Sequence, residues 1–193
     1  MNRFVPTHPN TDIHIIEDKT INLLPKLKSG WLDMIFFRAP QIIDASISVR
    51  FITRESCVLA VPANHPLADR SAVSLDDFKH EAMIIPERRT RPHSHDLTMS
   101  IYKLAGLTPM IAQFAEEKQT ILSLVAAGLG LAVVPASYRN MNSENVAYID
   151  LQLDENIKGL PLSIAWQKGN EDEYLRDMLK LLTDNKRELT EKL

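Results

Sequence analysis

The sequence predicts an α/β fold built as two Rossmann-like lobes. The clearest indication is residues 120–137, where apolar residues recur at helical spacing, two glycines follow, and an unbroken apolar run ends at Pro135. Such a run is typical of a strand that is buried on both faces, and glycine tolerates the positive φ that ends a helix. The segment therefore predicts a helix, a tight turn at Gly128 and Gly130, and a parallel strand. Strands alternate with helices along most of the chain, which also favours parallel sheets.

Composition fits this fold class. A chain of 193 residues suits one domain or two small lobes, and 45% hydrophobic with 24% charged residues is ordinary for a globular protein. The net charge is −3 and no basic stripe follows a helix, which argues against binding to DNA phosphates by this chain itself. There is neither an apolar run long enough for a membrane span nor a signal peptide, so we expect a cytoplasmic protein without membrane contact.

The first predicted lobe comprises residues 1–55 and 160–193. Its predicted elements are a strand at 12–17, a helix at 23–29 that Gly30 ends, strands at 34–37, 47–52 and 160–167, and an amphipathic helix from 171 to about 187. Pro25 lies inside the first of these helices, so that helix is expected to start late or to kink. Trp31 and Trp166 lie beside predicted strands and are expected in the core.

The second predicted lobe comprises residues 56–159. Its predicted strands lie at 57–61, 82–85, 110–115, 131–134 and 146–151, with helices beginning at Ser74, at Ser94 or His95, and near residue 121. Cys57 lies in an apolar run and is expected to be a small buried residue rather than a nucleophile. The chain is expected to cross between the lobes near residues 53–57 and 155–160.

Several stretches resemble the LysR-type transcriptional regulators. The run VAAGLGLAVVP at residues 125–135 is similar to a signature of their C-terminal effector-sensing domain, KSGWLD at 28–33 resembles a turn of that domain, and HPLA at 65–68 resembles a loop. The other interpretation of residues 125–135 is the helix, turn and strand of any α/β protein. The resemblance implies two lobes of the type 2 periplasmic-binding-protein fold.

The resemblance begins at Asn2, Arg3 and Phe4, within the tail of the family domain's first helix. It therefore implies a first lobe that is N-terminally truncated, without its first strand, and no DNA-reading winged helix-turn-helix in this chain. The missing strand normally lies near the middle of the lobe's sheet, so a strand edge and an apolar face are expected to be open. Another chain or a change of register could cover that face, or the recorded start could be wrong.

The first candidate site is Lys19 and Thr20. Ligands of two-lobed α/β proteins bind where the carboxyl ends of strands and the N-termini of helices face the cleft. A hydroxyl and free backbone N–H groups at Lys19 and Thr20 suit a carboxylate, although a plain helix cap would look the same. The resemblance implies an effector contact here, because the family has Thr or Ser at the position of Thr20.

The second candidate site precedes the helix near Ser94. It consists of Arg91, Pro92, His93 and Ser94, with Arg88 and Arg89 just before them. Bare helix N–H groups and the Ser94 hydroxyl suit an anion, and arginine can clamp a carboxylate through two parallel hydrogen bonds. The arginines could equally form a solvated loop; we expect one to face the cleft and the others water. The loop resembles that of regulators of aromatic-compound degradation, including those answering to muconate or benzoate, which often have an aromatic residue in place of His93.

Other chemistry has little support. His93, His95 and Asp96 could suggest a metal site, but no second cluster has ligand spacing. The sequence has no G-x-S-x-G, H-E-x-x-H or P-loop motif. We therefore predict no catalytic residue, no metal ion and no cofactor.

The resemblance implies an effector-sensing domain. A small organic acid, aromatic or a ring-cleavage product, would bind between the lobes and favour one lobe arrangement. That change would pass through a homodimer or higher oligomer to winged helix-turn-helix domains that bind DNA. Two other classes stay open: a stand-alone solute-binding protein of a transporter, and a small enzyme, which would need an acid/base pair that the sequence does not show.

Overall fold

The computed structural model describes residues 4–141 and 143–185. The chain divides into two compact units, one drawn from Met1–Thr53 and Pro161–Lys192 and the other from Arg54–Leu160. Both units contain strands and helices, and the predicted α/β class is confirmed. No helix in the described ranges is long and apolar enough to cross a membrane.

The elements follow one another in an irregular alternation of helices and strands. In chain order they are α1 (Thr20–Lys28), β1 (Met34–Phe37), β2 (Ile47–Glu55), β3 (Cys57–Pro62), β4 (Ala72–Val73), α2 (Leu75–Phe78), β5 (Ala82–Pro86), α3 (Pro92–Leu104), β6 (Met110–Ala115), α4 (Lys118–Ala126), β7 (Ala132–Pro135), β8 (Val146–Leu151), β9 (Leu160–Gln167) and α5 (Glu173–Asp184). Short 3₁₀ helices lie at Val5–Thr7 and Ala136–Asn140.

The first unit is a three-stranded sheet with a helix packed against each face. The strand order is β1-β9-β2, and β1 runs antiparallel to β9 with Ile35 opposite Ala165. Because side chains alternate along a strand, Ile35 and Ala165 pack with α1, while Ile164 on the other face packs with α5. The helices contribute buried leucines to the two clusters: Leu23 and Leu27 from α1, and Leu175, Leu179 and Leu182 from α5.

The second unit contains a four-stranded sheet and a two-stranded ribbon. The sheet order is β4-β8-β3-β7, and every residue of β3 and β7 is buried. The ribbon pairs β5 with β6 in parallel. Leu131 joins the two, since its N–H donates to Ala82 O at 2.8 Å and its carbonyl accepts from Ile84 N–H at 2.7 Å. The ribbon therefore extends the sheet beyond β7.

The expectation of parallel sheets is only partly correct. β7 runs parallel to β5 where Leu131 faces Met83, but it runs antiparallel to β3. The pairs β3–β8 and β1–β9 are antiparallel as well, while β4–β8 and β5–β6 are parallel. A local pattern fixes which face of a strand is buried but not the direction of its neighbour, which depends on the path of the whole chain.

The predicted strand at residues 12–17 is wrong. These residues have no regular structure, and the side chain of Ile15 is 77% exposed. Alternating apolar residues form a strand only where a neighbouring backbone supplies the hydrogen-bond ladder, and none of the described strands pairs with this segment. Trp31 is also not a core residue, because it is 61% exposed with the Lys26 ammonium 5.1 Å from its ring centroid.

Several helix boundaries differ from the predictions. α1 begins at Thr20 and includes Pro25, and α3 begins at Pro92 rather than at Ser94 or His95. Proline is favoured in the first turn of a helix because it has no N–H to leave unpaired, which explains the earlier start of α3. α5 is observed from Glu173 to Asp184, and the predicted end near residue 187 lies outside the described residues, as do Asn2 and Arg3.

Candidate functional site

Two helices of the second unit begin just after the carboxyl ends of β5 and β6. Parallel strands have their carboxyl ends on the same side, so the loops that follow β5 and β6 are neighbours. The Glu87 N–H donates to Ala115 O at 3.0 Å and ties these loops together. α3 and α4 start from these loops, so the positive ends of two helix dipoles lie here.

The first turn of α3 contains Pro92, His93 and Ser94. The His95 N–H donates to Arg91 O at 3.1 Å and opens the helical hydrogen-bond series, so the N–H groups of His93 and Ser94 precede it. Ser94 is only 9% exposed. Its carbonyl accepts from Thr98 Oγ1 at 3.1 Å, whereas its own hydroxyl has no hydrogen bond to another described residue. An unpartnered hydroxyl beside the first N–H groups of a helix is suited to an oxygen anion.

His95 and Asp96, two of the residues that could have suggested a metal site, have other contacts. His95 Nδ1 lies 2.9 Å from Pro86 O, to which it must donate, and the ring stacks on Phe114 with centroids 6.1 Å apart. Asp96 is paired with Arg88 at 2.9 Å. The described residues contain no group of three or more His, Cys, Asp or Glu that could hold a metal.

The three arginines of the loop differ in exposure. The side chains of Arg88 and Arg89 are mostly exposed, while that of Arg91 is 22% exposed. Arg91 Nε donates to Glu116 O, and its Nη2 lies 3.9 Å from Glu117 Oε2. Arg91 thus reaches from the start of α3 to the start of α4. That one arginine would face the cleft stays a prediction.

Lys19 and Thr20 lie at the start of α1 in the first unit. The Lys19 N–H, expected to be free for a ligand, donates instead to Asp18 Oδ1 at 2.8 Å. Thr20 is half-buried in the first helical position, and the Asn22 N–H closes the first turn on Lys19 O. The N–H groups of Thr20 and Ile21 are the ones that precede this turn.

Asp18 places a negative charge at this helix start. The Asn22 amide, the Lys19 N–H and the Lys26 ammonium all donate to its carboxylate and hold the pKa of Asp18 below its ordinary value. Asp18 was not among the predicted site residues, and neither were Glu116 and Glu117 at the start of α4. An acidic residue just before a helix is the signal that could have indicated all three.

The six predicted ligand-binding residues therefore form two groups. Arg91, Pro92, His93 and Ser94 are brought together at the start of α3, and Lys19 and Thr20 at the start of α1. Two α/β units, the second of which starts two helices at the carboxyl ends of its parallel strands, are typical of the two-lobed α/β class of ligand-binding proteins. Residues 1–187 match the LysR substrate binding domain, and the chain belongs to that family.

The chain is similar in sequence to named transcriptional regulators. It is 44% identical over 179 residues to the HTH-type transcriptional regulator TtuA of Agrobacterium vitis, covering 92% of this chain and 59% of that protein. It is 29% identical over 171 residues to the HTH-type regulator CatR of Pseudomonas putida, covering 89% of this chain and 58% of that protein. The chain thus spans less than two thirds of the length of these relatives.

Solved structures show the same relationship. The effector binding domain of BenM with its effector benzoate is 29% identical, with a TM-score of 0.76 over 95% of this chain and 82% of that one. CbnR, a LysR family transcriptional regulator, has a TM-score of 0.82 at 21% identity, over 95% of this chain and 62% of that one, which shows a shared fold. Because the named relatives are regulators, the transporter and enzyme alternatives are not favoured.

Proposed function

We propose that this chain is the effector-sensing domain of a LysR-type transcriptional regulator that responds to a small carboxylate-containing metabolite. Membership of the LysR substrate binding domain family supports the sensing role, and BenM, 29% identical, is known with benzoate bound. The observation that supports a carboxylate ligand is Ser94, a largely buried residue in the first turn of α3 whose hydroxyl has no partner among the described residues.

The proposed site draws on both units. One carboxylate oxygen accepts from the N–H groups of His93 and Ser94 and from Ser94 Oγ, with the Arg91 guanidinium nearby. Pro92 fixes the backbone that presents these donors. Lys19 and Thr20 contribute from the other lobe. The lobe boundaries that we propose are residues 1–55 with 160–193, and residues 56–159, with the effector between the lobes.

The proposed mechanism is a population shift. An effector that contacts both lobes favours the arrangement in which both sets of contacts form, and it can shift the equilibrium only by its difference in affinity for the two arrangements. The change passes through a homodimer or higher oligomer to winged helix-turn-helix domains outside this chain, which bind DNA in the cytoplasm. The relatives support this, since each is named an HTH-type transcriptional regulator.

Thermal-shift and calorimetric titrations with benzoate and muconate test the proposal. At least one acid should raise the melting temperature, because a ligand that binds only the folded state stabilises it. Ser94→Ala and Thr20→Ala should each weaken that binding by about 1 kcal/mol or more. Ser100→Ala is the matched control, since Ser100 is an exposed serine of α3 whose hydroxyl donates to Asp96 O. No shift with any acid, or unchanged affinity in both variants, would contradict the proposal.

A further inference from the structure

Each arginine before α3 already faces an acidic side chain. The nitrogen–oxygen pairs are Arg88 with Asp96 at 2.9 Å, Arg89 with Glu116 at 3.1 Å, and Arg91 with Glu117 at 3.9 Å. An effector carboxylate therefore does not enter a site of bare positive charge. Its affinity depends on how firmly the arginines are held by the protein's own carboxylates.

The pair of Arg91 and Glu117 differs from the other two. Arg91 is the least exposed of the three arginines. The distance of 3.9 Å between Arg91 Nη2 and Glu117 Oε2 is too long for a hydrogen bond. Arg91 Nε is satisfied by Glu116 O, but neither Nη group has a hydrogen bond to another described residue. A guanidinium has five N–H donors, and leaving them unsatisfied in a mostly buried position is costly. Arg91 thus retains donors for an anion.

Glu117 lies where its charge acts on two positive groups at once. It is the residue that precedes α4, and its side chain makes no capping hydrogen bond to that helix. Its carboxylate therefore offsets the positive end of the α4 dipole as well as the charge of Arg91.

We propose that Glu117 is a positioning residue that holds Arg91 loosely and sets the site's selectivity for ligand charge. The negative charge of Glu117 attracts Arg91, and an effector carboxylate must compete with that charge for the guanidinium. This inference rests on the proposed function. Each carboxylate of a bound ligand is repelled by Glu117, so Glu117 disfavours a dianion more than a monoanion.

The test compares wild type with Glu117→Gln, which keeps the shape and removes the charge. Calorimetric titration should give roughly threefold tighter binding of benzoate, a monoanion, and a larger gain, at most about ninefold, for muconate, a dianion whose second carboxylate adds a further but weaker repulsion. The gain should shrink as ionic strength rises, since salt screens it. Asp69→Asn is the matched control: it removes the same charge from an exposed residue outside these loops and should change neither affinity.

A double variant tests the path through Arg91. Combined with Arg91→Gln, the Glu117→Gln gain should shrink, because the part that comes from releasing Arg91 is lost and only the direct repulsion of the ligand by residue 117 remains. Gains that are absent, equal for the two acids or insensitive to salt would overturn the inference while leaving the proposed function standing. If only one acid binds, the salt dependence of its gain decides in the same way. If neither wild type nor Glu117→Gln binds either acid, the inference and the proposed function both fall.

Discussion

Glu55 Oε1 accepts a hydrogen bond from the backbone N–H of Ser137 at 3.0 Å. Glu55 is buried, and Ser137 lies in the 3₁₀ helix that follows β7. The preceding N–H, that of Ala136, donates to Ser56 O at 2.9 Å. Pro135 has no N–H, so residues 55 and 56 satisfy the two donors that follow the buried run ending at Pro135.

Replacing Glu55 should destabilise the second unit. Glu55→Ala leaves the Ser137 N–H without its acceptor, and we expect a loss of about 2 kcal/mol in the free energy of unfolding. Glu55→Gln keeps an oxygen acceptor and should lose less. Urea denaturation curves for the three proteins measure this. Equal losses in the two variants would show that the oxygen acceptor is not what matters.

The two glycines of the GLG turn should respond differently to alanine. A Cβ on Gly130 would lie 2.6 Å from Ala82 O, the carbonyl that accepts from Leu131, so Gly130→Ala should cost about 2–3 kcal/mol by forcing β5 away from β7. Gly128 has a φ of +74° and open space around it, so Gly128→Ala should cost only about 1–2 kcal/mol of backbone strain. Melting temperatures compare the pair. A larger loss for Gly128→Ala would contradict the close approach at Ala82.

Tyr102 contains a buried hydroxyl without a hydrogen-bond partner in the described part of the chain. Burial, together with the charge of Glu81, raises its pKa to about 12. Tyr102→Phe removes the desolvated hydroxyl and should leave stability unchanged or raise it by about 1 kcal/mol.

The same substitution should flatten the alkaline limb of the stability profile. The pKa of Tyr102 in the folded protein lies above the ordinary value of 10.0. The ionisation of Tyr102 therefore leaves stability unaffected below about pH 10 and lowers the free energy of unfolding as pH rises toward 12. Denaturation at neutral and alkaline pH measures both effects. A clear loss of stability in Tyr102→Phe at neutral pH would indicate a hydrogen bond to the hydroxyl.

Asp44 should contribute to acid sensitivity. The Lys28 ammonium and the Ser46 hydroxyl and N–H donate to its carboxylate at 2.6, 2.7 and 2.9 Å, and they hold the pKa of Asp44 well below 3.8. A carboxyl whose folded pKa is lowered stabilises the protein above the unfolded value and ceases to do so as pH falls through the folded one. Between about pH 5 and about pH 3, the melting temperature of Asp44→Asn should therefore decrease less than that of wild type. Parallel curves of melting temperature against pH for the two proteins would contradict this role of Asp44.

Much of the fold follows from local patterns in the sequence. The bounds of β6, β8 and β9 agree with the predicted strands, because each is a run of strand-forming residues closed by turn residues. The strand at residues 12–17 and the burial of Trp31 were wrong for the opposite reason. Both depend on whether another part of the chain covers the segment, and no local pattern contains that information.

The candidate site could be located but not detailed from the sequence. A helix beginning near Ser94 after a buried strand indicates exposed N–H groups. The burial of Ser94 and the reach of Arg91 to Glu116 depend on the neighbouring loop, which is 25 residues away in sequence for that hydrogen bond. The expectation of free N–H groups at Lys19 failed because Asp18 accepts the first of them.

The attachment of the β5–β6 ribbon has a mechanical consequence. Two backbone hydrogen bonds at Leu131 join the ribbon to the sheet, while the starts of α3 and α4 are both anchored at its far edge. A pull on the loops that follow β5 and β6 therefore acts along β5 on the hydrogen bonds of the Ile84 and Leu131 amides. Deuterium uptake at these two amides therefore measures whether an event at the loops after β5 and β6 changes the stability of the two hydrogen bonds.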